Sequence, residues 1–140
     1  MDKNTVEKLI AKAKEAMENA YVPYSKYPVG AALLTEDGNI YSGCNIENAS
    51  YGLTNCAERT GIFKAVSEGY RNFEAIAIIC KGQLKASPCG ACRQVIAEFL
   101  HKDSPVVLAN EDGEYTLTNV EGLLPGAFTT KSLLGDNNDF

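Results

Sequence analysis

Two short stretches hold the side chains best suited to chemistry: Cys56-Ala57-Glu58-Arg59 and Pro88-Cys89-Gly90-Ala91-Cys92-Arg93-Gln94. Each opens a segment with helical periodicity, so each places a thiol at a helix N-terminus. There the dipole and the free N–H groups favour the thiolate, the form that binds metal. Cys89 and Cys92, at i and i+3, share one helix face and can chelate a single ion. Cys56 and Glu58 stand two apart and diverge inside a helix, so they share a site only from an irregular first turn. Three thiolates suit zinc best among common metals, as soft donors in a tetrahedral array. A Cys-x-x-Cys pair by itself leaves a redox pair or a purely structural site as open as a catalytic metal. His101, the only histidine, lies about 14 Å beyond Cys92 along the helix and cannot close the set. The fourth position is therefore expected to admit water, with Glu58 beside it as acid and base. Three thiolates around a dication leave a net negative charge, which Arg59 and the two helix starts are placed to offset. Cys44 and Cys80 fall in strand-like segments and read as small buried hydrophobes.

The elements that must position these groups follow from periodicity. Asn4 and Glu7 resemble a capping pair, and Val6, Leu9, Ile10, Ala13 and Met17 recur at helical spacing, giving a helix over residues 5 to 19. Val29 to Leu34 and Ile40 to Asn45 are apolar runs joined by a turn containing Asp37-Gly38, a hairpin signal. Asn55 to Gly69 and Cys89 to Leu100 read as helices, the first stopping at glycine and the second following Pro88. Ala75 to Cys80 and Pro105 to Ala109 read as strands buried on both faces. Tyr115 to Thr118 reads as an edge strand, and Val120 to Leu124 as one short terminal helix. This order implies a three-layer α/β/α sandwich around a mixed five-stranded sheet, in a single domain over residues 1–140.

With 140 residues, 45% of them hydrophobic, one domain is the default. The longest apolar runs fall far below the roughly 20 residues a membrane-spanning helix requires, and residues 1 to 17 do not resemble a secretory signal. A formal charge of −5 without a long basic run argues against a polynucleotide partner. Five cysteines, an odd count, favour metal binding or catalysis over a disulfide framework. The expected location is the cytoplasm.

Pro23-Tyr24-Ser25-Lys26, Val29-Gly30-Ala31-Ala32-Leu33-Leu34, Gly43-Cys44-Asn45-Ile46-Glu47-Asn48, Asn55-Cys56-Ala57-Glu58-Arg59-Thr60, Ser87-Pro88-Cys89-Gly90-Ala91-Cys92-Arg93-Gln94 and Leu123-Leu124-Pro125-Gly126-Ala127-Phe128 occur in that order. Together they resemble the small homotetrameric zinc-dependent cytidine deaminases across nearly the whole chain. The resemblance implies that Cys56, Cys89 and Cys92 hold one zinc per subunit, which acidifies a water, and that Glu58 shuttles its protons during attack at carbon 4. It further implies that the Ala57 N–H meets the pyrimidine carbonyl and that the Ser87 carbonyl accepts from the leaving amino group. Asn45 and Glu47 share one face of a strand end and, by the same resemblance, bind the sugar. Phe128 is implied to pack on the base from a neighbouring subunit. Tyr27 stands where many relatives carry Phe, lining the base and sugar pocket with an added hydroxyl. The implied reaction is hydrolysis of cytidine and 2′-deoxycytidine to the uridine counterparts and ammonia, in pyrimidine salvage. The alternatives are a deaminase of a related aminopyrimidine nucleoside or nucleoside antibiotic, and a non-catalytic nucleoside-binding module whose zinc only holds the fold.

Overall fold

The computed structural model describes residues 1–135. Helix α1 spans Lys3–Met17, followed by strands β1 (Val29–Thr35) and β2 (Ile40–Cys44), helix α2 (Ala57–Ser67) and strand β3 (Phe73–Cys80). Helix α3 (Gly90–Phe99), strands β4 (Pro105–Asn110) and β5 (Tyr115–Asn119), and short helices α4 (Val120–Leu123) and α5 (Thr130–Leu134) complete the order. A single-turn 3-10 helix at Tyr51–Leu53 precedes α2. No described helix is long and apolar enough to cross a membrane.

The sheet order is β2-β1-β3-β4-β5. β3 and β4 are parallel, joined by the α3 crossover, and the other neighbours are antiparallel. Side chains alternate across the sheet, and the two faces have different compositions. On one face Ala32, Ala75, Ala77, Ile79, Val107 and Ala109 meet Val6, Leu9, Ile10 and Ala13 of α1. The alanines keep that surface flat, so α1 lies close. On the other face Leu33, Ile76, Ile78, Cys80 and Val106 pack against Ala57, Ile62 and Ala65 of α2, Ile96 of α3 and Leu123 of α4. The mixed sheet and three layers expected from the element order are thus present.

Asp2, not Asn4, caps α1: its Oδ1 accepts from the Thr5 N–H at 2.7 Å, and Asn4 lies inside the helix. A one-residue choice among neighbouring polar side chains is not encoded in periodicity. Helix α5 extends a tail in which only one helix was expected. Its capping box pairs Thr129 with Ser132, a weaker signal than the usual Glu or Gln.

Helix α2 carries Cys56 and Glu58, so its distance from the sheet matters. A side chain at Gly43 of β2 would bring a Cβ to 2.5 Å from the Gly61 backbone nitrogen and 2.8 Å from the Ala57 carbonyl oxygen. The contact is with backbone and cannot be relieved by a rotamer change. Gly43→Ala is therefore expected to destabilise the protein by about 3 kcal/mol or more, measured by urea unfolding. An unchanged midpoint and slope would contradict this packing.

Candidate active site

Helices α2 and α3 begin side by side at one end of β3. Cys56 and Cys89 are their N-cap residues, each with extended backbone. That resolves the spacing problem of Cys56 and Glu58. The chain turns at Cys56, so its side chain and that of Glu58, in the first helical turn, reach the same space. The Cys89 sulfur accepts from the Cys92 N–H at 3.4 Å, which fixes the loop-to-helix junction.

The sulfurs of Cys56, Cys89 and Cys92 all lie within 4.8 Å of one another, and Cys56 and Cys89 are 3.9 Å apart. Zinc–sulfur bonds of about 2.3 Å in a tetrahedron place sulfurs about 3.8 Å apart, so this donor set fits zinc. Among the described residues it is the one such metal-ligating group. Within the group, the hydrogen bond from Cys92 and the Arg59 guanidinium lower the pKa of Cys56. The Arg59 Nη2 lies 3.4 Å from the Cys56 sulfur. This sets the Arg59 guanidinium against one sulfur of the group.

A cavity of about 180 Å³ adjoins the sulfurs, with Tyr27, Asn45, Cys56, Ala57, Glu58, Ser87 and Cys89 on its wall. Glu58 is 4% exposed, and burial followed by the nearby Cys56 charge raises its pKa above the ordinary carboxylate value. Cys92 is fully buried behind the wall.

Other site candidates are placed less directly. The Asn45 Oδ1 accepts from the Val29 N–H and its Nδ2 donates to the Tyr27 carbonyl, both at 2.9 Å. Glu47 lies outside the cavity wall, where its Oε1 accepts from the Tyr24 and Ser25 N–H groups at 3.0 and 3.1 Å. Both side chains thereby shape the irregular approach to β1. Phe128 also lies outside the cavity, with its carbonyl accepting from the Gln94 Nε2 at 2.7 Å. Cys80 is buried as expected, yet it lines the cavity too, and its contact with the Tyr27 hydroxyl pushes the phenol pKa to about 12.

Sequence reasoning passed over the apolar wall of Val29, Ile78 and Ala86. Alternation along β3 carries a signal for it, because Ile78 and Cys80 share the face that holds α2 and α3. Arg93 was also passed over. Its Nε donates to the Pro88 carbonyl at 2.8 Å, Nη1 to the Leu123 carbonyl at 2.8 Å and Nη2 to the Ser87 Oγ at 3.1 Å. One guanidinium thus ties the start of α3 to the end of α4.

The profile for the cytidine and deoxycytidylate deaminase zinc-binding region matches residues 3–108. The chain belongs to that family. It is 62% identical over 128 residues to a cytidine deaminase of Sporosarcina psychrophila, covering 91% of this chain and 94% of the relative. It is 55% identical over 125 residues to that of Halalkalibacterium halodurans, covering 89% and 95%. A crystal structure of cytidine deaminase from Burkholderia pseudomallei superimposes with a TM-score of 0.84 at 50% identity, over 91% of this chain and all of the other. This deaminase-family chain is accordingly an enzyme with a zinc-binding domain, whose metal-binding group is Cys56, Cys89 and Cys92.

Zinc content follows from this donor set. The purified protein is expected to hold one zinc per chain by elemental analysis, and Cys92→Ala to hold less than about a tenth of that. Full occupancy in the variant would remove Cys92 from the ligand set.

Proposed function

We propose that the protein hydrolyses the exocyclic amino group of cytidine and 2′-deoxycytidine, giving uridine, 2′-deoxyuridine and ammonia. The observation that carries this reading is the buried Glu58 carboxyl on the wall of one cavity beside three convergent sulfurs, two of them on that wall. The 62% identity to a cytidine deaminase supports the choice of substrate. A zinc ion held by Cys56, Cys89 and Cys92 supplies a Lewis acid that brings the pKa of water towards neutrality.

Glu58 takes one proton from the attacking water and gives it to the ring nitrogen beside carbon 4. It carries the second to the amino group as the carbon–nitrogen bond breaks. The water oxygen becomes the new carbonyl, one proton stays on the ring and the other leaves with ammonia. Ala57 opens α2, so its N–H has no acceptor within the helix and is available to the pyrimidine carbonyl. The Ser87 carbonyl accepts from the amino group, and Arg59 offsets the surplus charge of the thiolates.

Asn45 and Glu47 bind the sugar hydroxyl, each keeping hydrogen-bonding capacity beyond its bonds to the approach segment. Tyr27 contributes its ring to the same pocket. Phe128, half-exposed and away from its own cavity, serves the active site of a neighbouring subunit in a homotetramer. Exposed Tyr51 and Leu53 give such an assembly apolar surface to cover. The chain acts as a single domain over residues 1–140. Five free cysteines suit the reducing cytoplasm, where the product enters pyrimidine salvage.

Glu58→Gln tests the reading most simply. It is expected to keep zinc and nucleoside binding while kcat on cytidine falls by about a thousandfold or more. Turnover equal to the parent would reject the role of Glu58, and a zinc-loaded parent that releases no ammonia from cytidine would reject the activity. Arg59→Ala is expected to retain zinc yet lower kcat by about tenfold. Equal kcat in the zinc-saturated variant would contradict the charge argument.

A further inference from the structure

Ser87 and Cys89 arrive at the site on a stretch, residues 81 to 89, that forms neither helix nor strand. Its backbone is only as fixed as its bonds to neighbouring elements. The end of β4 and the turn beyond it provide several of these. The Ala109 carbonyl accepts from the Ala86 N–H at 3.0 Å. Glu111 reaches Gly82 twice, its N–H donating to the Gly82 carbonyl at 3.3 Å and its Oε2 accepting from the Gly82 N–H at 3.2 Å. Between them, the Asn110 Nδ2 donates to the Gln83 carbonyl at 2.7 Å.

Asn110 is the centre of this contact. It is 1% exposed, and burying an amide is unfavourable unless its atoms are bonded. Its two ends face different tasks. The Oδ1 accepts from the Asp112 and Glu114 N–H groups at 3.0 and 3.1 Å and so shapes the β4–β5 turn. The Nδ2 donates to the Glu114 Oε1 at 3.0 Å and, across the fold, to Gln83. A turn alone requires only the acceptor. The bond to Gln83 links that turn to the stretch whose far end carries Ser87 and Cys89. Gly82, at φ 96°, supplies the left-handed backbone that lets the chain leave β3 and meet Glu111.

We propose that the β4–β5 turn clamps the approach to the metal site, with Asn110, assisted by Glu111, as a positioning residue for Ser87 and Cys89. Neither side chain touches the reacting atoms, and the proposal rests on the deaminase reading given above. The leverage is steep, because a misplacement of about 1 Å in a reacting geometry can cost about a hundredfold in rate.

The test uses the zinc-loaded full chain and three readouts: hydrogen exchange of amides 82 to 87 and 89, zinc transfer to a chelator, and kcat and KM on cytidine. Asn110→Asp keeps the oxygen that accepts from the turn but presents oxygens to the Gln83 carbonyl and to Glu114. It is expected to raise exchange and zinc transfer by about tenfold and to lower kcat by about tenfold, with KM changing less. Adding Glu114→Gln repairs the contact inside the turn without restoring a donor to Gln83, so the defects should persist. Glu111→Ala, at a half-exposed position, should shift all three readouts in the same direction by about threefold.

Recovery of all three readouts in the Asn110→Asp, Glu114→Gln double variant would reduce Asn110 to a turn former and overturn the proposal. So would a folded Asn110→Asp whose exchange and zinc transfer stay within about twofold of the parent. Should Asn110→Asp fail to fold, unchanged exchange and zinc transfer in Glu111→Ala would overturn it alone. A parent enzyme inert towards cytidine would reject the deaminase reading, while exchange and zinc transfer would still decide the clamp.

Discussion

Three sulfurs from two separate segments converge within a few ångströms, and this convergence is the constraint the rest of the molecule satisfies. Thiolates repel one another, and positive charge lies beside these three at the starts of α2 and α3 and at the Arg59 guanidinium. The ion that fits them adds the remainder. Both helices must begin at the same end of the sheet and lie at a fixed height above it. The close approach at Gly43 sets that height for α2, and the Arg93 fork holds the start of α3. Structure far from the reacting groups is thus tied to their spacing.

The two faces of the sheet divide the labour. Alanines beneath α1 build a flat, tightly covered surface with no chemistry of its own. The larger residues of the opposite face carry α2 and α3, and towards the end of β3 the same row of side chains, Ile78 and Cys80, becomes the wall of the cavity. Glu58 is buried beside that wall, and its burial, followed by the nearby Cys56 charge, raises its pKa above the ordinary carboxylate value.

Much of this was legible in the sequence because it depends on short-range patterns. The Cys-Ala-Glu and Pro-Cys-x-x-Cys segments place thiols at helix starts whatever the rest of the fold does, and the element order limits the sheet to a few topologies. Periodicity located every strand to within two residues. Long-range polar pairing was harder to see. Arg93 and Asn110 look like ordinary residues of a helix and a turn, and only the fold reveals that their partners lie in the approach to Cys89 and at the end of α4. The cap of α1 was misplaced for a related reason, since Asp2 and Asn4 offer similar oxygens and the helix geometry decides between them. Cys80 was rightly read as buried, but burial alone did not disclose the cavity beside it.

In the proposed reading, three sulfurs from this chain hold zinc and leave one position for solvent. Zinc K-edge X-ray absorption on the purified protein measures this directly. Three sulfur scatterers at about 2.3 Å and one oxygen at about 2.0 Å are expected. Four protein ligands around the metal, with no light solvent atom among them, would contradict it.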